Sequence, residues 1–176
     1  MSFPVLNTDR FILRGFTKKD LSNIYLGLSH PKVIKYYGVN YTSKDAAKEQ
    51  LEWFKNLEKE KTGIWWAICS RETSEFLGAV GFNNLSKIHR KAELGFWLLP
   101  EFWRKGIISE VLPEVIDFGF KELNLHRIEA LVESPNINSK NVLKKMKFIH
   151  EGQLKDYEVK NGAFISIDVF ARFNQI

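Results

Sequence analysis

Three apolar runs of strand length crowd the middle of this chain: Ile64 to Cys69, Phe76 to Phe82 and Ala92 to Leu99, the last ended by Pro100. A strand with one wet face alternates apolar and polar residues, so a run without alternation needs cover on both faces. Period alone leaves a buried helix open. The short lengths and the aromatic residues Trp65, Trp66, Phe76 and Phe82 favour strands. A helix predicted from Gly106 to Glu122 follows. Its polar positions Glu110, Glu114, Asp117 and Lys121 form one narrow stripe, while Ile107, Ile108, Val111, Leu112, Val115 and Ile116 fill most of the remainder. Such a helix is expected to lie mostly buried against a sheet. Pro113 stands inside it. An interior proline costs about 3 kcal/mol or kinks the helix, so a bend is expected. Asn124 can take the left-handed conformation that ends the helix.

The flanks complete the pattern. Arg10 to Arg14 reads as a first strand, and Thr17-Lys18-Lys19-Asp20 as a capping box with Asp in the Glu position. Leu21, Ile24, Tyr25 and Leu28 keep helical spacing. Pro31 can start a short turn of helix. Ser43 is expected to cap a helix striped by Ala47, Leu51, Phe54 and Leu57. On the other side, Arg127 to Val132 reads as a strand, and Asn136 to Ser139 opens a short helix. Phe148 to Gln153 and Phe164 to Phe173 read as closing strands, with a tight turn at Asn161-Gly162. The order predicts a mixed α/β (α+β) domain. Its central sheet has about six or seven mostly antiparallel strands, with helices on both faces and one strand–helix–strand crossover. Across the 176 residues there is no repeat and no Gly/Ser linker, so a single domain spanning 1–176 is expected.

Several function classes fall away. The lone Cys69 rules out an internal disulfide and a cysteine zinc site, and suits a reducing cytoplasm. His30, His89, His126 and His150 show no paired spacing, and are read as structural or surface residues; no metal is expected. The start, Met1 to Asn7, has no basic region followed by an apolar run, so no signal peptide is expected. No apolar stretch approaches the roughly 20 residues of a membrane helix. The net charge of +5, from 26 basic and 21 acidic side chains, suits an anionic ligand: a phosphorylated cofactor or RNA. A merely solvated basic surface is the alternative. Signatures of RRM or KH type are lacking, so nucleic acid is not the expected partner.

The charge concentrates where an anion could use it. Trp103-Arg104-Lys105-Gly106-Ile107-Ile108-Ser109 leads into the buried helix. A helix N-terminus offers unpaired N–H groups and a partial positive charge, which suit a pyrophosphate. Gly106 permits close approach of phosphate oxygens to the main chain. Neither a nucleotide P-loop nor a dinucleotide fingerprint is present. Alone, the loop is as well explained as an ordinary helix start.

Its surroundings carry more. Ala92-Glu93-Leu94-Gly95-Phe96-Trp97-Leu98-Leu99-Pro100, then Phe102-Trp103-Arg104-Lys105-Gly106-Ile107-Ile108-Ser109-Glu110, resembles the core of the GNAT superfamily of N-acetyltransferases. Within it the chain is similar to the branch that acetylates ribosomal-protein N-termini. Arg10 to Arg14, His126-Arg127-Ile128-Glu129-Ala130, Asn136-Ile137-Asn138-Ser139, Val142 to Phe148, Gly152 and Asp168 match further segments in order. Three positions depart. Arg104 stands for a usual glycine, Ile108 for a small residue, and Lys147 for the glycine of a turn, where positive φ is expected.

The resemblance implies acetyl-CoA as cosubstrate, with no metal. It implies that two central strands splay after a bulge, and that the cofactor arm pairs with the backbone of Trp97, Leu98 and Leu99. Arg104, Lys105, Gly106, Ile107, Ile108 and Ser109 would hold the pyrophosphate. Ser139 would donate a proton to the leaving thiolate, or else act as a helix cap. Asn136 would orient the arm, or else form an Asx-turn. Glu93 is the candidate for deprotonating the amine, against a partnered structural Glu; Glu129 is a weaker candidate, and Glu110 reads as structural. Tyr36, Tyr37 and Tyr41 line the acceptor side or pack the core. The expected acceptor is a primary amine, in first place the N-terminal α-amine of a (ribosomal) protein or peptide. A polyamine, an amino acid or an antibiotic would suit the same scaffold. Ile108 and Lys147 motivate a second alternative, a non-catalytic coenzyme A sensor.

Overall fold

The computed structural model describes residues 3–175. Met1, Ser2 and Ile176, which belong to the N-terminal and single-domain readings above, lie outside the described residues. The elements run β1 (Leu6–Asn7), β2 (Phe11–Arg14), α1 (Leu21–Ser29), α2 (Pro31–Ile34), α3 (Lys48–Glu60), β3 (Ile64–Ser70), β4 (Phe76–Ser86), β5 (Lys91–Leu98), α4 (Ile107–Lys121), β6 (Arg127–Glu133), α5 (Ile137–Lys145), β7 (Ile149–Lys160) and β8 (Ala163–Phe173). All the strands form one sheet in the order β1-β2-β3-β4-β5-β6-β8-β7. Every pairing is antiparallel except β5 with β6, joined through α4 by the expected crossover.

The sheet has eight strands rather than six or seven. β1 is two residues long, too short for its period to register. β7 runs to Lys160 instead of Gln153. It is an exposed edge strand, and two register shifts, at residue 151 and at residues 155–157, break its alternation.

The continuous apolar runs are explained by two cores, one on each face. Trp66, Ile68, Val80, Phe82, Leu94 and Leu98 pack with Val111, Leu112, Val115 and Ile116 of α4 and Leu143 of α5. Their strand neighbours Trp65, Ala67, Cys69, Ala79 and Trp97 pack with Ile24 and Leu28 of α1 and Leu51, Phe54 and Leu57 of α3. Successive strand residues point to opposite faces, so helices on both sides demand apolar residues throughout. The second core contains no residue of β6, β7 or β8. On that face the helices cover one half of the sheet and leave the other half open.

Local signals hold in detail. The Asp20 carboxylate accepts from the Thr17 backbone N–H at 2.7 Å, completing the capping box, and it also pairs with both terminal nitrogens of Arg14 at 2.8 Å. α4 continues through Pro113. Asn124 is left-handed at φ 52°, and the Asn161-Gly162 turn has φ 51° and 78°. Lys147 takes the positive φ expected of a glycine position, 62°. One helix start differs. Ser43 caps a turn, accepting from the Ala46 N–H at 3.1 Å, and α3 begins only at Lys48. Bonds from Lys48, Glu49 and Gln50 to carbonyls three residues back tighten the intervening turn.

Candidate active site

The parallel strands β5 and β6 are paired only at Lys91–Arg127, Ala92–Ile128 and Glu93–Glu129. Beyond Glu93, β5 continues to Leu98 on its other neighbour β4, and β6 continues to Glu133 on β8. A wedge therefore opens in the sheet at the carboxyl ends of both strands. The register irregularity near its apex falls in β4, at residues 84–85 opposite Ala92, and not on the splayed strands themselves.

The wedge leaves backbone groups of β5 unpaired. Leu99 donates its N–H to the Leu77 carbonyl, so its backbone faces β4. The polar groups of successive residues alternate between strand edges. Trp97 therefore also faces β4, and Phe96 and Leu98 face the gap. The Leu98 carbonyl is already taken by the Trp103 indole N–H at 2.9 Å. Phe96 and the Leu98 N–H are thus the β5 backbone groups free toward the gap, while the Leu99 N–H turns to β4 and the Trp97 and Leu99 side chains are buried.

The two helices that follow the splayed strands start at the same end of the sheet. At the start of α4 the chain alternates in sign of φ, with Arg104 at 63° and Gly106, the N-cap, at 75°. The first intrahelical bond comes from the Glu110 N–H to the Gly106 carbonyl, which leaves the N–H groups of Ile107, Ile108 and Ser109 without helical partners. Arg104, Lys105 and Gly106 are exposed, while Ile107 is buried and Ile108 packs against the core beneath. Ile108 thus keeps its bulk off the exposed side of the loop. Glu110 braces this turn. Its carboxylate accepts from the Thr8 hydroxyl at 2.7 Å, the Arg10 N–H at 2.9 Å and the Arg10 Nε at 2.6 Å. Burial pushes this carboxylate up, but those donors outweigh it and hold it below its usual range. Arg10 itself leans over the loop, donating to the Lys105 carbonyl at 3.3 Å.

Glu93 lies on the other side of the wedge, on the face of Trp97, where cover by α1–α3 runs out. Burial raises its pKa, and repulsion from Glu129 and Glu158 adds to the rise. The Asn84 amide, donating at 2.8 Å, offsets this in part. Glu129 responds in the opposite direction. Burial pushes it up, but Arg127 at 2.9 Å and Lys91 at 3.1 Å hold it below the usual range. Tyr37 sits close enough for the Glu93 charge to help raise its phenol, after burial and Tyr41. The Tyr41 hydroxyl is spent on Gln50 at 3.0 Å.

α5 presents the remaining candidates. The Asn136 side chain accepts from the Ser139 N–H at 3.2 Å and is the helix cap. That duty therefore does not fall on the Ser139 hydroxyl, which is half-buried in the first turn. The next residue, Lys140, pairs with the buried Asp168 of β8, which also meets His150 Nε2 at 2.7 Å. Burial pushes Asp168 up, and Lys140 and His150 pull it below its usual range.

The profile of the acetyltransferase (GNAT) domain family matches residues 10–149. The chain belongs to the GNAT family. It is 41% identical over 170 residues to the "uncharacterized N-acetyltransferase YoaA" of Bacillus subtilis, covering 96% of each chain. Among solved structures it resembles RimL, a ribosomal L7/L12 α-N-protein acetyltransferase in complex with coenzyme A, with TM-score 0.87, 20% identity and coverage of 97% and 98%. It also resembles a spermidine N-acetyltransferase from Vibrio cholerae in complex with coenzyme A and spermine, with TM-score 0.82, 22% identity and coverage of 93% and 95%. These structural likenesses speak to the fold. The protein is thus a GNAT N-acetyltransferase that depends on acetyl-CoA.

Some features of this GNAT site were not read from the sequence. Arg10 and Thr8 bracing Glu110, and Lys140 with His150 on Asp168, join segments separated in sequence, and Asn84 on Glu93 crosses the β4–β5 hairpin. The i, i+4 stripe marked Glu110 as polar, but no local pattern could name its partners. No described helix is long and apolar enough to cross a membrane.

Proposed function

We propose that this GNAT enzyme transfers the acetyl group of acetyl-CoA to the N-terminal α-amine of a protein or peptide, with Glu93 as base and Ser139 as acid. Acetyl-CoA supplies an activated thioester; everything else is the work of this chain. The α4 start, with its exposed Arg104, Lys105 and unpaired N–H groups, suits the pyrophosphate. Phe96 and Leu98 offer backbone groups along the gap, and an N–H aimed there stabilises the developing oxyanion. Glu93, with its pKa raised by burial, takes the proton from the incoming ammonium. Ser139, relieved of capping by Asn136, gives a proton to the departing sulfur.

The observation that carries the acceptor assignment is the charge ledger of the acceptor face. Glu93, Glu129 and Glu133 lie on one side of the splayed strands. Glu129 is neutralised by Lys91 and Arg127, and Glu133 by Lys160. Among the described residues, Glu93 alone of the three has no cationic partner, only the Asn84 amide. Glu158 of β7, near enough to repel Glu93, likewise has no cationic partner among the described residues, so this face attracts a cationic amine. The likeness to RimL favours a protein N-terminus among such amines. Thiol release from acetyl-CoA with N-terminal alanine and serine peptides, compared with spermidine and an aminoglycoside, tests the assignment. Peptide turnover at least about tenfold more efficient is expected, a difference of about 1.4 kcal/mol. Turnover of spermidine with none of either peptide would overturn it.

A further inference from the structure

The tip of the β7–β8 hairpin is fastened across the acceptor face by one side chain. Lys160, the last residue of β7, stands next to the Asn161-Gly162 turn. Its ammonium donates to the Lys35 carbonyl at 2.8 Å, 125 residues away, and pairs with the Glu133 carboxylate. Three separate parts of the molecule meet there. Lys35 opens the segment that carries Tyr36 and Tyr37, and Tyr37 neighbours Glu93. Glu133 ends β6, one wall of the wedge, and leads through Ser134 and Pro135 into α5 with its Ser139. The hairpin supplies the third part. The pair is shielded, with Lys160 and Glu133 side chains 22% and 13% exposed, whereas surface ion pairs such as Lys121–Asp117 are 69% and 54% exposed. A shielded pair is screened little and holds its geometry; its loss leaves a carboxylate without its counter-charge.

We propose that Lys160 is a positioning residue for the acceptor: its ammonium straps the residue 35–41 segment and the β7–β8 hairpin to the end of β6, and so fixes the shape of the entrance through which the amine reaches Glu93. The inference rests on the reading that the amine enters on the Glu93 face. It touches neither the α4 loop nor the backbone of β5, so cofactor binding is independent of it.

Lys160→Met keeps the aliphatic stem and removes the donors; Lys160→Arg keeps donors and charge. With an alanine-N-terminal peptide and with spermidine as probes, Lys160→Met is expected to raise the acceptor KM about tenfold, the worth of one charge-assisted hydrogen bond. kcat should change less than about twofold, and coenzyme A affinity by calorimetry should stay as in the parent. Amide exchange at residues 35–41 should quicken about tenfold, and Lys160→Arg should recover most of both effects. An unchanged acceptor KM in Lys160→Met, or a parallel loss of coenzyme A affinity from general loosening, would overturn the proposal. If the parent enzyme acetylates neither probe, the proposed function fails by itself. Exchange then decides the strap: unchanged protection at residues 35–41 refutes it.

Discussion

Replacing Glu93 by Gln separates catalysis from stability with opposite signs. Burial raises the Glu93 pKa, with Glu129 and Glu158 adding repulsion. The native state therefore holds this proton to higher pH than the unfolded chain, whose Glu titrates near 4.3. Between those two values the native state binds more protons. Stability due to Glu93 is full below the unfolded value and is lost as pH rises through the folded one. At neutral pH the ionised carboxylate is a standing cost. Gln keeps the shape and can still accept from the Asn84 amide at 2.8 Å, so the substitution removes a charge without stranding a donor. Melting at neutral pH should stay level or rise. Turnover should fall by about 10²- to 10⁴-fold, the usual contribution of a positioned base. The parent enzyme should also lose kcat/KM as pH falls through the raised Glu93 value, and Glu93→Gln should lose that limb of the profile. A thiol-release assay from about pH 5 to about pH 9, alongside thermal melts, reads both quantities. Wild-type turnover in Glu93→Gln with an unchanged profile would refute the assignment. A fall in both activity and melting temperature would mean that Glu93 is a partnered structural residue.

Gly106→Asp places a carboxylate at φ 75°, beside the unpaired N–H groups of α4, and should weaken coenzyme A binding by about tenfold or more in calorimetry. Ser139→Ala should lower kcat without changing coenzyme A affinity or melting, whereas Asn136→Ala, which removes the α5 cap, should cost about 1 kcal/mol of stability in denaturant unfolding. Lys147→Gly should stabilise the fold by about 1 kcal/mol by relieving the left-handed strain at φ 62°, with activity unchanged.

What the sequence showed and what it hid follow one physical division. Features set by neighbours along the chain were legible. The unbroken apolar runs required two covered faces, and the two cores around Trp65 and Trp66 supply them. Asn161-Gly162, Asn124 and Lys147 each disclosed a positive φ. The α4 loop was legible as a helix start, which the structure has at Ile107 with Gly106 as its N-cap. Features set by pairing across the fold were hidden. That the backbone of Phe96 faces the gap, while Trp97 and Leu99 turn away, depends on the Leu99–Leu77 bond. The departure at Ile108 lost its force because its side chain packs on the core. The difference between Glu93 and Glu129 lies wholly in Lys91 and Arg127, which approach one carboxylate and not the other. β7 was cut short because an exposed, bulged edge strand carries no alternation to read.

The proposed coenzyme A site runs from the wedge between β5 and β6 to the start of α4, and a crystal structure with coenzyme A bound tests it most directly. The pantetheine arm is expected in the wedge, bonded to the backbone of Phe96 and the Leu98 N–H, with the pyrophosphate on the N–H groups between Arg104 and Ser109 and the thiol between Glu93 and Ser139. Coenzyme A bound elsewhere, or an arm paired with Trp97 and Leu99 in place of Phe96 and Leu98, would contradict it.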